Sequence, residues 1–407
     1  MTAPLSAILS RNLKLFLVSR FAGVMAMQVQ STAVGWQIFK LTDDVFALGL
    51  VGLAQFVPMF ALTLYAGDVA DRYERRRVLS ASYTVEAACA AIFMALTLSG
   101  VTDTWPYFAT LVLFGAARAF SAPASQSFLP QIVPASDLPQ AISISSTVFQ
   151  IAVIAGPAVG GALLLLGAGV TYAICFVLFA TGSALIYAIR MIAQQRREIV
   201  GSLYERVAEG VAYVRRRQEL FGAISLDLFA VLLGGATALL PYFAENILKV
   251  GPLGFGILKA GPAVGAAIMS VVLTVRPIGR YAGAKMFVCV AIFGAATIVF
   301  GLSESFYLSL AALITLGAAD MVSVNVRHSL TQLATPDHMR GRVSAVSMLF
   351  IGASNELGEF ESGVTAAWWG TVPAVVVGGV GTLAVVGLWA YWFPALRKVD
   401  RLSDLKP

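Results

Sequence analysis

Nine ionisable residues stand inside stretches that are otherwise apolar: Arg20, Glu86, Arg118, Asp227, Lys259, Asp320, Glu356, Glu359 and Glu361. Holding such a group in hydrocarbon costs about 2.5–3.5 kcal/mol on insertion scales, so each is a candidate for chemistry. The chemistry open to them is proton exchange and recognition of charge. Glu356, Glu359 and Glu361 crowd into residues 351–363, IGASNELGEFESG. At about 100° per residue, Glu356 and Glu359 share a helix face while Glu361 points away. Three ionised carboxylates on one apolar helix resist insertion, so at least one is protonated, paired with a cation such as Lys259, or turned to water. A proton site, a cationic-cargo site and polar helix packing are all open to this stretch. Glu86, alone in its apolar run, is a further proton candidate, with a bond to a neighbouring helix as the plainer reading. Arg20 and Asp227 sit near run ends; with Gln28, Gln30 and Trp36 they are candidates to line a cavity.

The elements that must position these groups are read from composition. Of 407 residues, 58% are hydrophobic and 12% charged, and mean hydropathy is +0.81. Soluble domains carry about a quarter charged residues, so the chain is an all-α polytopic membrane protein. Runs of roughly 20 apolar residues mark twelve spans. Six lie near 15–37, 46–66, 78–98, 105–125, 140–166 and 169–190, and six near 221–245, 252–275, 284–302, 305–326, 343–365 and 371–394. The expected domains are 1–190, a cytoplasmic linker at 191–220, and 221–407. In the linker, Leu203, Val207, Val211 and Val214 recur at helical spacing, which predicts an amphipathic helix on the inner membrane face. Met1–Lys14 do not have the order of a cleavable signal.

The net charge of +6 is explained by distribution. Twenty-three of the 28 Lys and Arg fall in segments assigned to the cytoplasm, which is the positive-inside pattern. Both termini are placed there by Arg11 and Lys14 at one end and Arg397, Lys398 and Arg401 at the other. Contact with anionic lipid accounts for the basic charge, and nucleic acid is not needed. Cys89, Cys175 and Cys289 are far apart, no metal-ligand spacing occurs, and no cofactor is implied. A phosphate-binding G-x-x-x-x-G-K-[S/T] loop and a nucleophile elbow are both missing, against an ATP-driven pump and against an enzyme.

The chain also repeats itself. At a shift of 202 residues (320 minus 118), Gly115-Ala116-Ala117-Arg118-x-x-Ser121 falls on Gly317-Ala318-Ala319-Asp320-x-x-Ser323. Pro134 falls on Pro336, Gly156 on Gly358 and Gly161 on Gly363. Two halves are thus expected, with opposite charges at equivalent points of the fourth and tenth spans.

Gly67–Leu79, GDVADRYERRRVL, packs four arginines and three carboxylates into a hairpin between two spans, which must lie at a membrane face. Gly67, Asp71, Arg72, Arg75 and Arg76 resemble the loop between the second and third helices of the major facilitator superfamily, and ADRYER is similar to its enterobactin-exporter-like, drug:proton antiporter branch. Glu74 departs from the glycine usual there. Gly156, Pro157, Gly160 and Gly161 in IAGPAVGGAL resemble the fifth-helix motif of the superfamily's antiporters. Arg118 matches the fourth-helix arginine of proton-linked members.

This resemblance implies a twelve-helix fold of two pseudo-symmetric six-helix bundles in the cell's inner membrane. It implies a monomer that exports a small amphipathic organic molecule, such as a siderophore, drug or metabolite, by proton antiport and alternating access. Arg118, Asp320, Glu356, Glu359, Glu361 and Glu86 would serve coupling, the 67–76 loop would be a cytoplasmic latch, and the glycines of the fifth helix a seam between halves. A proton-coupled importer or facilitator, or a lipid flippase on the same fold, is the alternative.

Overall fold

The computed structural model describes residues 10–134, 136–189 and 203–401, and every regular element among them is helical. Six long helices come first: α1 (Arg11–Thr42), α2 (Val45–Arg72), α3 (Arg75–Leu98), α4 (Trp105–Phe128), α5 (Leu138–Leu164) and α6 (Ala168–Tyr187). A shorter helix, α7 (Leu203–Arg216), precedes α8 (Gln218–Leu233), α9 (Gly251–Val275), α10 (Ala282–Leu302), α11 (Phe306–Leu333), α12 (Asp337–Trp369) and α13 (Thr371–Trp392). Helices satisfy every backbone polar group internally, which hydrocarbon demands. Ten are long and apolar enough to cross a membrane. The other two spans, α1 and α12, have 32 and 33 residues but are loaded with Arg20 and glutamines, and with three glutamates and Asn355. Residues kept at such cost mark the two most polar spans.

By packing, the chain divides into one unit of Met1–Thr42 with Ala54–Val200 and a second of Asp43–Leu53 with Gly201–Pro407. In the first, Leu13, Phe16, Phe114, Phe128 and Phe179 form a buried core. Phe93 stacks between Tyr107 and Tyr172, whose hydroxyls meet Gln37. The α5 glycines close on α1: a Cβ at Gly156 would lie 2.4 Å from that of Gln28, and one at Gly160 3.2 Å from the Val29 Cα. Within the first unit, the small residues of α5 thus let it approach α1 closely.

In the second unit α9 and α11 cross where Gly265 and Gly317 sit. A Cβ at either would stand 1.9 Å from a carbonyl oxygen of the facing helix, Ile314 or Pro262. The seventh span is broken. α8 stops at Gly234–Gly235, and the chain continues through a 3-10 turn, Ala236–Leu239, to a π turn, Phe243–Ile247. Gly235 lies so close to the Gly358 carbonyl that a Cβ would come within 2.3 Å.

The C-terminal half of α7 puts its apolar side on the protein. Val214 is buried with Val343 and Val346, Gly210 abuts the Arg342 carbonyl, and the Tyr213 hydroxyl donates to Ala334 O at 2.8 Å. Glu209 and Arg342 form an ion pair. The Val211 and Val214 end of the stripe thus packs on the ends of α11 and α12, while the side chains of Leu203 and Val207 fall outside the described residues. The chain's last described stretch caps α10. The amides of Ala282 and Gly283 donate to the carbonyls of Asp400 and Val399 at 3.0 and 3.1 Å, and the Asp400 carboxylate accepts from the Tyr281 amide at 2.8 Å. Tyr281 itself turns with φ +58. These bonds satisfy amides that a helix start leaves open.

Candidate functional site

In the first unit α1, α3 and α4 bring Arg20, Glu86 and Arg118 to one cavity of about 270 Å³. The helical period sets Arg118, Ser121 and Ser125 on one face of α4. Ser121 Oγ donates to Glu86 Oε1 at 2.9 Å, and Arg118 Nη1 donates to Gln55 Oε1 at 3.2 Å. Glu86 is 3% exposed and within electrostatic reach of Arg118. Arg20 Nη1 lies 3.5 Å from Ser125 Oγ, and its guanidinium sits 5.3 Å from the centroid of the Phe149 ring. Met27 and Met59 complete an apolar wall.

Other cavity candidates go elsewhere. Gln28 packs on α5, its amide nitrogen 3.5 Å from Val153 O. Gln30 is 1% exposed with neither amide atom hydrogen-bonded, and Trp36 is buried beside Lys40. None of the three lines the cavity, because the face of α1 that meets it carries Arg20, Gly23, Val24 and Met27.

The second unit holds a cluster of the opposite balance. Asp227 on α8 and Arg327 on α11 form an ion pair, both side chains 6% exposed or less. Asp227, Asp320 and Ser323 line one small pocket. Asp320 and Arg327 are seven residues apart on α11, two turns along one face. Asp227 is thus paired with Arg327, while Asp320 lines the same small pocket as Asp227. Sequence reasoning missed Arg327, because the tenth span was ended at 326 while α11 runs on to Leu333. The repeat held the signal: at the 202-residue shift Arg327 falls on Ser125, and Ser323 on Ser121, both lining the first cavity.

A third group lies between α9 and α12, also in the second unit. Lys259 is in electrostatic reach of Glu359 and, more weakly, of Glu356, and its ammonium is 5.8 Å from the Phe255 ring centroid. A Cβ at Gly52 would be 2.9 Å from Glu359 Oε2. Glu361, half-buried, is off this face.

In the charged hairpin Arg75 Nη1 donates to Ser127 O at 2.7 Å and Arg76 Nη1 to Ile189 O at 3.1 Å. These bonds tie the start of α3 to the ends of α4 and α6. Glu74 has φ −64 and ψ 113, ordinary extended backbone, so a glycine is unnecessary there. Its carboxylate bridges Arg76 and Arg77 at 2.8 and 2.9 Å. Gly67 lies in α2, and the side chains of Asp71 and Arg72 fall outside the described residues.

Twelve membrane-crossing helices from a duplicated half, with charge clusters in their interior and an arginine-rich hairpin between the second and third, define a transporter of the major facilitator superfamily and not an enzyme. Within it, the chain belongs to the transmembrane secretion effector family, whose sequence profile matches residues 2–406. It is 24% identical over 379 residues to the enterobactin exporter EntS of Escherichia coli O1:K1 / APEC, covering 90% of this chain and 88% of that one. It is 23% identical over 422 residues to a Na(+), Li(+), K(+)/H(+) antiporter of Planococcus maritimus, covering 94% and 95%. Among solved structures, a bacterial homologue of the iron transporter ferroportin in the inward-facing state matches with TM-score 0.71 at 16% identity, over 96% and 99% of the two chains.

Proposed function

We propose that this protein exports a small amphipathic organic molecule across the inner membrane, with proton entry driving the cycle. The observation that carries this reading is the α8–α11 cluster, where Asp227, paired with Arg327, and Asp320 line one pocket. A buried carboxylate needs a cation, a proton or water, and one guanidinium neutralises only one of the two. Proton binding at the pair is the other way to remove the excess charge. The neutral, proton-loaded cluster is then the form in which the cargo-free carrier returns to the inside by alternating access. Lys259 with Glu359 and Glu356 provides a second exchangeable group, and the 67–76 hairpin acts as the cytoplasmic latch. Export as the direction is supported by the relative named an exporter, and proton exchange by the relative named an H(+) antiporter. Both termini lie in the cytoplasm on this reading, by the positive-inside pattern.

The test uses the full chain in liposomes with an internal pH dye, an imposed proton gradient, and a panel of siderophores, macrolides and cationic dyes. The expected outcome is cargo movement against proton movement that Asp320→Asn abolishes. Equal movement with and without the gradient, with Asp320→Asn and Glu359→Gln matching wild type, would make the protein a facilitator or flippase. Cargo and protons moving the same way would make it an importer.

A further inference from the structure

We propose that the α1–α3–α4 cavity is a subsite for an organic anion, taking a carboxylate or sulfonate group on an aromatic body. This rests on the transporter reading, in that the anion is the cargo's head group. Two guanidiniums, Arg20 and Arg118, line the cavity against one carboxylate, Glu86. Glu86 is already engaged with the Ser121 hydroxyl and lies on the Arg118 side of the balance. Among the described residues Arg20 pairs with no carboxylate. Its contacts are the Ser125 hydroxyl and the Phe149 ring, and its Nε is buried with no hydrogen-bond partner. A desolvated guanidinium held only by neutral groups is costly, and a planar anion offering two oxygens is the ligand that best compensates it. Met27, Met59 and Phe149 give the anion's body an apolar wall, and about 270 Å³ accommodates a substituted aromatic acid. The second unit's pocket is lined by two carboxylates, Asp227 and Asp320, with Arg327 already paired to Asp227, and so has no comparable claim on an anion.

Equilibrium binding to the purified full chain in neutral-lipid nanodiscs, without any gradient, tests the subsite. The probes are 1-naphthoate, its neutral amide and 1-naphthylmethylammonium, which share a body and differ in charge. Naphthoate is expected to bind at least about tenfold more tightly than the other two, as a charge-assisted pair adds to shared apolar contact. Arg20→Gln and Arg118→Gln should each weaken naphthoate about tenfold, while Arg20→Lys recovers part of the loss. Glu86→Gln should tighten naphthoate, because the resident carboxylate no longer competes for Arg118. Unchanged amide binding shows that a variant is folded; where it is lost, the Arg20→Lys and Glu86→Gln results decide. Three probes binding alike, naphthoate failing to bind, or Arg20→Lys and Glu86→Gln both leaving naphthoate affinity at the wild-type value would overturn the proposal. Arginine-dependent naphthoate binding beside liposomes that show no proton-coupled movement would sink the transport reading and leave the subsite standing. Proton-coupled cargo movement with no naphthoate binding would do the reverse.

Discussion

Asp227 and Arg327 are the residues where the price of a buried charge is most exposed to experiment. Removing one member strands the other in a low-dielectric site, so Asp227→Leu or Arg327→Leu should destabilise the protein by about 3–5 kcal/mol. Removing both should recover most of that loss, since a well-packed apolar pair replaces a desolvated one. Thermal unfolding in detergent, compared across the two single variants and the double, reads the coupling; additive losses would mean that the contact contributes nothing. Individual residues were only half legible. Arg20, Glu86, Arg118, Asp227 and Asp320 stand out in sequence because a charge amid apolar neighbours has no cheap explanation. Arg327 does not, since it lies where the span's apolar run has faded, yet tertiary packing keeps it 4% exposed. Gln28, Gln30 and Trp36 look alike in composition, and only the rotation of α1 separates them from the cavity wall.

At the scale of elements, the crossing of α9 and α11 depends on backbone meeting backbone. Gly265→Leu should therefore cost roughly 1–3 kcal/mol or more by forcing the helices apart. Gly279→Leu, with nothing within 4 Å of the added Cβ, should leave the melting temperature unchanged. The cap on α10 makes a pH prediction. The Tyr281 amide, ahead of the Arg280 guanidinium, holds Asp400 below its ordinary value of 3.8. A carboxylate depressed in the folded state stabilises above its unfolded pKa, and the contribution is lost as pH falls through the folded one. Amide exchange at residues 281–283 should accelerate as pH drops below about 3.8 relative to the intrinsic rate, and Asp400→Asn should remove that pH dependence. Helix existence was easy to read, because twenty apolar residues leave few alternatives. The break after α8 was not, although the Gly234–Gly235 pair was in view, since hydropathy does not register a backbone that bends. Nor was the orientation of α7: an apolar stripe fits lipid or protein equally well until Tyr213 and Arg342 supply the partner.

For the whole molecule, the duplication places charges of opposite sign at one pair of equivalent points, Arg118 and Asp320. The first unit's cavity carries two guanidiniums and one carboxylate, the second unit's pocket two carboxylates, and Arg118 and Asp320 stand at points related by the 202-residue shift. In the proposed scheme that division gives one unit to cargo recognition and the other to protons. The membrane orientation can be checked with an impermeant maleimide on intact cells. Asp103→Cys, exposed between α3 and α4, should label, and Gly341→Cys, exposed at the start of α12, should not; the reverse would invert the topology. Native Cys89 and Cys175 are buried and Cys289 partly so, which keeps the background low. The cap on α10 bears on manufacture. Its first amides wait for carbonyls that the ribosome adds some 117 residues later, roughly ten seconds at ordinary elongation rates. Until then that helix start is an open end at the membrane surface, so a nascent chain interrupted before Val399 carries a visible mark of being unfinished.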